Sequence, residues 1–462
     1  MTPAILISRH PRTAVRLSGP LNRAAVVVAI LVTLTSSFDI FLVLEAGGNY
    51  RFCQIITPVL ICLAIVKAAR CGTIPVLGAL PLSIWFLFQI LFIPAAGFWP
   101  KSLGYCLWLL LNFGLLFSYV QLFGDNFTLL TRVLRWYVYS FALIASFGIV
   151  QFILPVLGFG GLFVKQWWIP GELARVNGFS YEPSYFATYL LVGFVFTGAL
   201  RRNRSSLLPS INLLAIYWLT AIGIILSSSR MGIVFLFVDV FLSQLKPWFS
   251  FFADFLKGHI IFFKLRALLP SFLSIAFLGV IVVGASTAIE RSPAIALMFL
   301  NGTGISDTAA HSVIERENAL GETLTVFLEH PLIGRSLGGV SAAIADLQGE
   351  KVNSFEASKN FEGMSVFAEA LAASGVIGII PFVWFLVTTI LKPVRLARLA
   401  SPFYSVLLRA LVRSLVFAWA ILQFNQNMLR PYLWVHIAIL VTVYTAALQS
   451  ANAPADLHSS SR

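Results

Sequence analysis

"ARVNGFSYEPSYFATYLLVGFVFTGALRRNR", Ala174–Arg204, joins a polar mouth, an apolar run and a basic stop in one stretch. No charge falls between Ser184 and Leu200, and Arg201, Arg202 and Arg204 follow at once. A run of this length and apolarity predicts a membrane helix. Pro183 suits its first turn and pushes Glu182 into extended backbone. The arginine cluster marks the cytoplasmic end, because basic residues are retained on that side. The mouth, with Arg175 and Glu182, therefore faces outward, where its charges are costly unless something uses them.

The same pattern recurs along the chain. Of 462 residues, 58% are hydrophobic and 11% charged, and the mean hydropathy is +0.88. Soluble domains carry about twice that share of charge. The sequence predicts an all-α, polytopic transmembrane helix bundle of about 12 spans, with one large, partly helical extracytoplasmic loop. The spans fall near residues 24–45, 52–67, 74–93, 103–123, 136–158, 184–200, 211–228, 231–245, 267–288, 364–390, 403–423 and 431–449. With the N-terminus inside, the inner segments hold the basic groups Arg9 to Arg23, Lys67 and Arg70, Arg132 and Arg135, Arg201 to Arg204, Lys246 to Arg266, and Lys392 to Arg398. The short outer loops hold only Arg51, Lys101, Lys165, Arg175, Arg230 and Arg430.

The organisation that follows is a cytoplasmic tail at 1–23, a first part of the bundle at 24–284, a periplasmic loop at 285–362, a second part of the bundle at 363–449 and a cytoplasmic tail at 450–462. The basic N-terminal segment reads as the lead into a signal-anchor helix, with no small-residue cleavage site. The net charge of +13 fits residues held beside the anionic inner leaflet, and no nucleic-acid partner is implied. Cys53, Cys62, Cys71 and Cys106 lie in or beside apolar segments without metal-ligand spacing, so neither disulfides nor a metal site are expected. In the large loop Val313, Leu320, Leu324, Phe327 and Leu328 share one predicted helix face, fit to lie on the bilayer or cap a cavity.

Three constellations face outward. In the first, an inward-running helix opens at Pro183 with its N-terminal N–H groups and positive dipole end beside Arg175, which favours an anion. A local Arg175–Glu182 ion pair or lipid-headgroup contact explains it equally well. Trp167 and Trp168 suit an interfacial aromatic belt. In the second, "LSSSRMGIVFLFV" (Leu226–Val238), serines cap the next inward helix and Arg230 sits at its turn; simple snorkelling is the plainer explanation. Together, two arginines and two helix N-termini suit a diphosphate, since the guanidinium fork pairs phosphate oxygens bidentately. In the third, "RENALGETLTVFLEHPLIGRSLGGV" (Arg316–Val340), His330 can accept a proton near neutral pH or merely cap a helix C-terminus. Arg316 and Arg335 flank it. Asn360 and Glu369 lead into the tenth span, with Glu369 one or two turns inside. Asp39 and Asp239 read as intramembrane carboxylates, functional or pairing between helices.

At these residues the chain resembles the O-antigen polymerase and ligase family of bacterial envelope glycan assembly. "RVNGFSYEPSYFATYL", "SSSRMG" opening a span, and "EHPLIGRSLGG" ending a large outer loop carry the resemblance in order, and "GVIGIIPFVWFL" resembles the next span. It covers mainly Trp167 to Phe385. It implies a glycosyltransferase of the bacterial cytoplasmic (inner) membrane that polymerises undecaprenyl-diphosphate-linked oligosaccharides into O-antigen or exopolysaccharide chains. No metal or other cofactor is implied, and a chain-length regulator of the same pathway is a possible partner. Arg175 and Arg230 match the family's arginines, aided by Arg316 or Arg335, and Glu182 or His330 is the expected base. His330 matches the ligase branch, which transfers glycan to lipid A core, whereas "EPSYFATY" looks more like the polymerases. A different class, a transporter or flippase of lipid-linked glycan or solute, would use Asp39 and Asp239 as a proton relay; the absence of a repeat between halves speaks against it.

Overall fold

The computed structural model describes residues 19–45, 49–256, 307–363, 365–424 and 428–452; for 246–256 and 307–316 it describes the backbone alone. These residues are mostly helical. The elements are α1 (Gly19–Thr35), β1 (Val43–Glu45), β2 (Asn49–Arg51), α2 (Phe52–Cys71), α3 (Ala79–Leu91), α4 (Trp99–Phe123), α5 (Phe127–Val156), β3 (Gln166–Ile169), β4 (Leu173–Arg175), α6 (Pro183–Arg202), α7 (Ser210–Leu226) and α8 (Arg230–Leu256). They continue as α9 (Asp307–Glu329), α10 (Val340–Leu347), α11 (Phe355–Ser358), α12 (Val366–Leu396), α13 (Pro402–Ile421) and α14 (Pro431–Ala451). Among the described residues seven helices, α2, α4, α5, α6, α12, α13 and α14, are long and apolar enough to cross a membrane. The apolar α1, α3 and α7 are shorter.

Proline at the first or second position opens α4, α6, α13 and α14. There the missing N–H costs nothing and the fixed φ suits the helix. α6 is buried without a break from Phe186 to Leu200, and α14 from Pro431 to Val443. A helix apolar on every face belongs in the middle of a bundle. α6 packs on α5, α7, α8 and α13, and α14 on α4, α5, α12 and α13. His436 of α14 locks three helices together: its Nδ1 meets the Tyr137 hydroxyl at 2.5 Å and its Nε2 meets the Leu411 carbonyl at 2.9 Å. A carbonyl only accepts, so the proton sits on Nε2 and Tyr137 donates to Nδ1.

The first turns of α2, α4, α6, α8, α12 and α14 gather at one end, here the upper end, as the pairings described below require. Arg201 and Arg202 close α6 at the lower end, where Lys67 pairs with Asp125 at 2.5 Å.

Several expectations need correction. The span expected at 24–45 is helical only to Thr35. Thr33, Thr35 and Ser36 turn their hydroxyls onto backbone carbonyls there, which competes with continued helix. Asp39 is therefore not on the helix. It lies in the loop beyond, its N–H bonded to the Phe179 carbonyl at 2.9 Å. The third span starts later than expected, because Pro75 stays outside α3. The eighth is longer than expected, reaching Leu256. The ninth, 267–288, lies outside the described residues, as does most of the first half of the large loop. In α9 the expected face lies outward, except for Phe327, which packs on the core. Thr323 and Val326 are buried, whereas Leu320, Leu324 and Leu328 are exposed. α9 packs on α10 and α12, and Thr323 lies against Gly363 in the loop before α12.

α12 is broken ten residues in. Gly375 has φ 59° and ψ −173°, a conformation reserved almost wholly for glycine. The break strands the Ala372 and Ala373 carbonyls and the Val376 and Ile377 N–H groups. The segment Pro331–Ser336 restores all four: Arg335 and Ser336 donate to the carbonyls of 372 and 373 (3.0 and 2.9 Å), and 376 and 377 donate to those of Pro331 and Leu332 (2.8 and 3.1 Å). Non-helical backbone at membrane depth is tolerated where protein satisfies it.

Candidate functional site at the upper end of the bundle

Strand β4 delivers Arg175 to the upper end, paired antiparallel with β3. Val176 then donates to the Leu226 carbonyl at 3.4 Å, and Arg175 Nε donates to the Ser227 carbonyl at 3.3 Å. The loop that opens α8 is thereby held against β4. Ser229 accepts from the Gly232 N–H at 3.4 Å, the N-cap expected of this serine run. Gly232 packs so closely on α6 that an added Cβ would stand 2.8 Å from that of Ala187. This contact holds the first turn of α8 against α6. Glu182 is the N-cap residue of α6, with φ −128° and ψ 149°, and accepts from the Ser184 hydroxyl at 3.0 Å. Arg175 also bonds Gln166 at 2.7 Å and lies 5.4 Å from the Trp168 ring centre.

A second group centres on Asp39. One carboxylate oxygen meets Arg51 Nε at 2.7 Å and the other meets Arg430 Nη1 at 2.5 Å. Arg430 stacks 3.7 Å from the centre of the Tyr185 ring. Burial alone lowers an arginine's hold on its proton, but Asp39 and the rings of Tyr185 and Tyr432 outweigh it and raise the pKa of Arg430. It is a fixed cation. A third group follows on α4: Lys101 Nζ reaches Glu362 Oε1 at 3.0 Å and the Ser341 hydroxyl at 3.0 Å. Tyr105 donates to the same Glu362 oxygen at 3.2 Å. Tyr185 stands within electrostatic reach of both Glu182 and Glu362, which ties the groups together.

The other expected residues are placed as follows. His330 directly follows α9, half-buried, its N–H bonded to Val326 and Phe327 carbonyls. Arg335 belongs to the clasp on α12, and its Nη1 lies 3.5 Å from the Ala95 carbonyl. Asn360 is exposed. Glu369 is 7% exposed in the first turn of α12, within electrostatic reach of Tyr105. Arg316 lies on α9, its side chain outside the description. Asp239 is fully buried, held by Arg413 at 2.6 Å, with Arg202 at 3.6 Å.

Among the described residues, eight buried side-chain polar atoms lack a hydrogen-bond partner. Asp239 Oδ2 faces Arg202, which closes α6 at the lower end. Those of Ser37, Ser102, Trp168, Arg335, Trp419, Arg430 and Tyr432 all lie toward the upper end. Unpaired buried polar groups cost stability.

Sequence reasoning missed Asp39 with Arg51 and Arg430, and Lys101 with Glu362. A signal was present. Arg51, Lys101 and Arg430 are basic residues in loops that the sequence reads as outer, where the positive-inside rule disfavours them, and each proves to be paired.

No protein-family model and no curated protein matches the chain. The functional reading rests on the residues themselves.

Proposed function

We propose that the chain polymerises undecaprenyl-diphosphate-linked oligosaccharide repeat units by metal-independent glycosyl transfer on the outer face of the bacterial cytoplasmic membrane, with both termini inside. The juxtaposition of two arginine-bearing loops, 52 residues apart between Arg175 and Ser227, carries this reading. It holds β4, which carries Arg175, against the turn that leads to Arg230 and opens α8. Two guanidinium groups and two helix dipoles are suited to a diphosphate.

In the reaction the bond between the donor's anomeric carbon and the diphosphate oxygen breaks. The acceptor hydroxyl oxygen forms the new bond to that carbon from the opposite side, so the configuration inverts. Undecaprenyl diphosphate leaves with the electron pair, and Arg175 and Arg230 offset its growing charge. The hydroxyl proton passes to a carboxylate or imidazole base. Glu182 is favoured over His330, since it opens the helix to which β4 leads, while His330 ends α9. The paired Asp39 and Asp239 offer poor support for a proton relay, because each is neutralised by arginine.

The test uses purified protein in detergent with chelator and a short undecaprenyl-diphosphate oligosaccharide as sole substrate. A ladder of lengthened lipid-linked glycan is expected. Arg175→Ala and Arg230→Ala are each expected to slow it about 10²–10³-fold while remaining folded. Unchanged ladders from both variants overturn the cradle. Transfer that appears only when lipid A core is added makes the chain a ligase, and no product from folded protein returns the transporter.

A further inference from the structure

Between the Asp39 and Glu362 groups runs a partly exposed track that the diphosphate chemistry leaves unused. One wall is a single face of α4, carrying Lys101, Tyr105, Trp108 and Asn112 at helical spacing. At its upper edge Lys101 and Tyr105 hold Glu362. Lower down, Trp108 meets Tyr50 of β2, with ring centres 5.8 Å apart at 59°. Asn112 then donates to the Leu429 carbonyl at 3.4 Å, next to Arg430. The facing wall is the Arg51–Asp39–Arg430 row and the Tyr185 ring.

The charge inventory decides what such a track takes. Lys101, Arg51 and Arg430 are offset by Glu362 and Asp39 in direct contact, and Glu182 and Glu369 stand nearby. There is no cationic surplus for a phosphate. The track instead alternates carboxylates, tyrosine hydroxyls and fixed N–H donors around two incompletely buried aromatic rings. Hydroxyl-rich rings pair with such donors and acceptors, and their C–H faces pack on aromatic rings. Two donors behind the track have no partner though each residue is only 5% exposed: Arg430 Nε and the Tyr432 hydroxyl.

We propose that this track is a sugar-binding cleft, distinct from the Arg175–Arg230 cradle, in which Tyr50 and Trp108 pack on the face of a neutral pyranose while Glu362 accepts from its hydroxyls. It rests on the polymerase reading for the origin of the glycan, but sugar binding is measurable without turnover.

The probe is the free oligosaccharide released by mild acid from the lipid-linked intermediates of cells that make the protein. It carries no lipid and no diphosphate. Binding to the full chain in nanodiscs is titrated by calorimetry, with saturation-transfer NMR to locate the sugar protons in contact. Trp108→Ala and Glu362→Gln are each expected to weaken binding at least tenfold. Tyr50→Ala, at a ring 38% exposed on a short hairpin, removes one platform without touching the core and is expected to do the same. Trp136→Ala, a 43% exposed tryptophan on α5, is the control and leaves binding unchanged. Equal binding by wild type and Tyr50→Ala, or no binding by wild type, overturns the cleft. Sugar binding that is lost in these variants, in a protein that makes no polymer, keeps the cleft and ends the polymerase reading.

Discussion

Gly375→Ala is expected to cost about 3 kcal/mol or more of stability, from backbone strain and from hydrogen bonds lost in the clasp. Two independent obstacles meet at this position. Alanine resists φ 59° with ψ −173° wherever it is placed. Its Cβ would also stand 2.3 Å from the carbonyl carbon and oxygen of Leu332 and 2.5 Å from the Ile333 nitrogen. Those are backbone atoms, which cannot rotate away. Relief requires the Pro331–Ser336 segment to withdraw, and the four exchanged hydrogen bonds go with it. Unfolding in mixed micelles titrated with sodium dodecyl sulfate, followed by helical circular dichroism, measures the loss. Gly321→Ala is the internal comparison. It sits in exposed helix, where an added Cβ meets nothing within 4 Å, and is expected to be neutral or to gain up to about 1 kcal/mol. Equal stability of Gly375→Ala and wild type would show that α12 is not broken there.

The ion group on Asp239 has the second large effect, and its asymmetry is the useful part. Asp239 has 0% side-chain exposure, whereas Arg413 and Arg202 keep 31% and 28%. Removing one partner of a buried pair costs about 3–5 kcal/mol because the other is left uncompensated. Arg413→Ala leaves an anion that cannot reach water, with only Arg202 at 3.6 Å. Asp239→Asn leaves two arginines that can partly rehydrate. The arginine variant is therefore expected to be the more damaging. The double variant Asp239→Asn/Arg413→Met is expected to recover most of the loss, since an ion pair replaced as a unit is often neutral. The same unfolding titration, run as a double-mutant cycle, gives the coupling. Additive losses would mean that the pair does not act as a unit.

What the sequence made legible was local. Pro183, Glu182 and the Ser227–Ser229 run announce their helix starts through short-range chemistry, and α6 and α8 begin where that chemistry places them. Burial of whole helices was not legible: α6 and α14 are the most buried of the seven, yet the less buried α2 and α12 are more apolar. Nor were the pairings. Asp39 and Arg430 are separated by 391 residues, and each alone reads as a charge stranded near the membrane. The glycine-rich "HPLIGRSLGG" drew attention to its histidine, yet much of its pattern answers a backbone need: it satisfies a break in another helix. The Leu320, Leu324 and Leu328 stripe is exposed for a related reason. Periodicity names an apolar face but not the neighbour, and α9 turns Thr323, Val326 and Phe327 to the bundle.

The Asp39 clasp also bears on how the chain is made. Asp39 and Arg51 leave the ribosome early, and Arg430 joins them only after every intervening helix has been threaded into the bilayer. Until then one carboxylate serves a single arginine and Tyr185 has no cation on its face. A nascent chain halted before Arg430 lacks both the second ion pair on Asp39 and the cation over Tyr185. The protein thus matures at its final helix, and quality control that inspects membrane proteins for unneutralised charge has one late event to inspect.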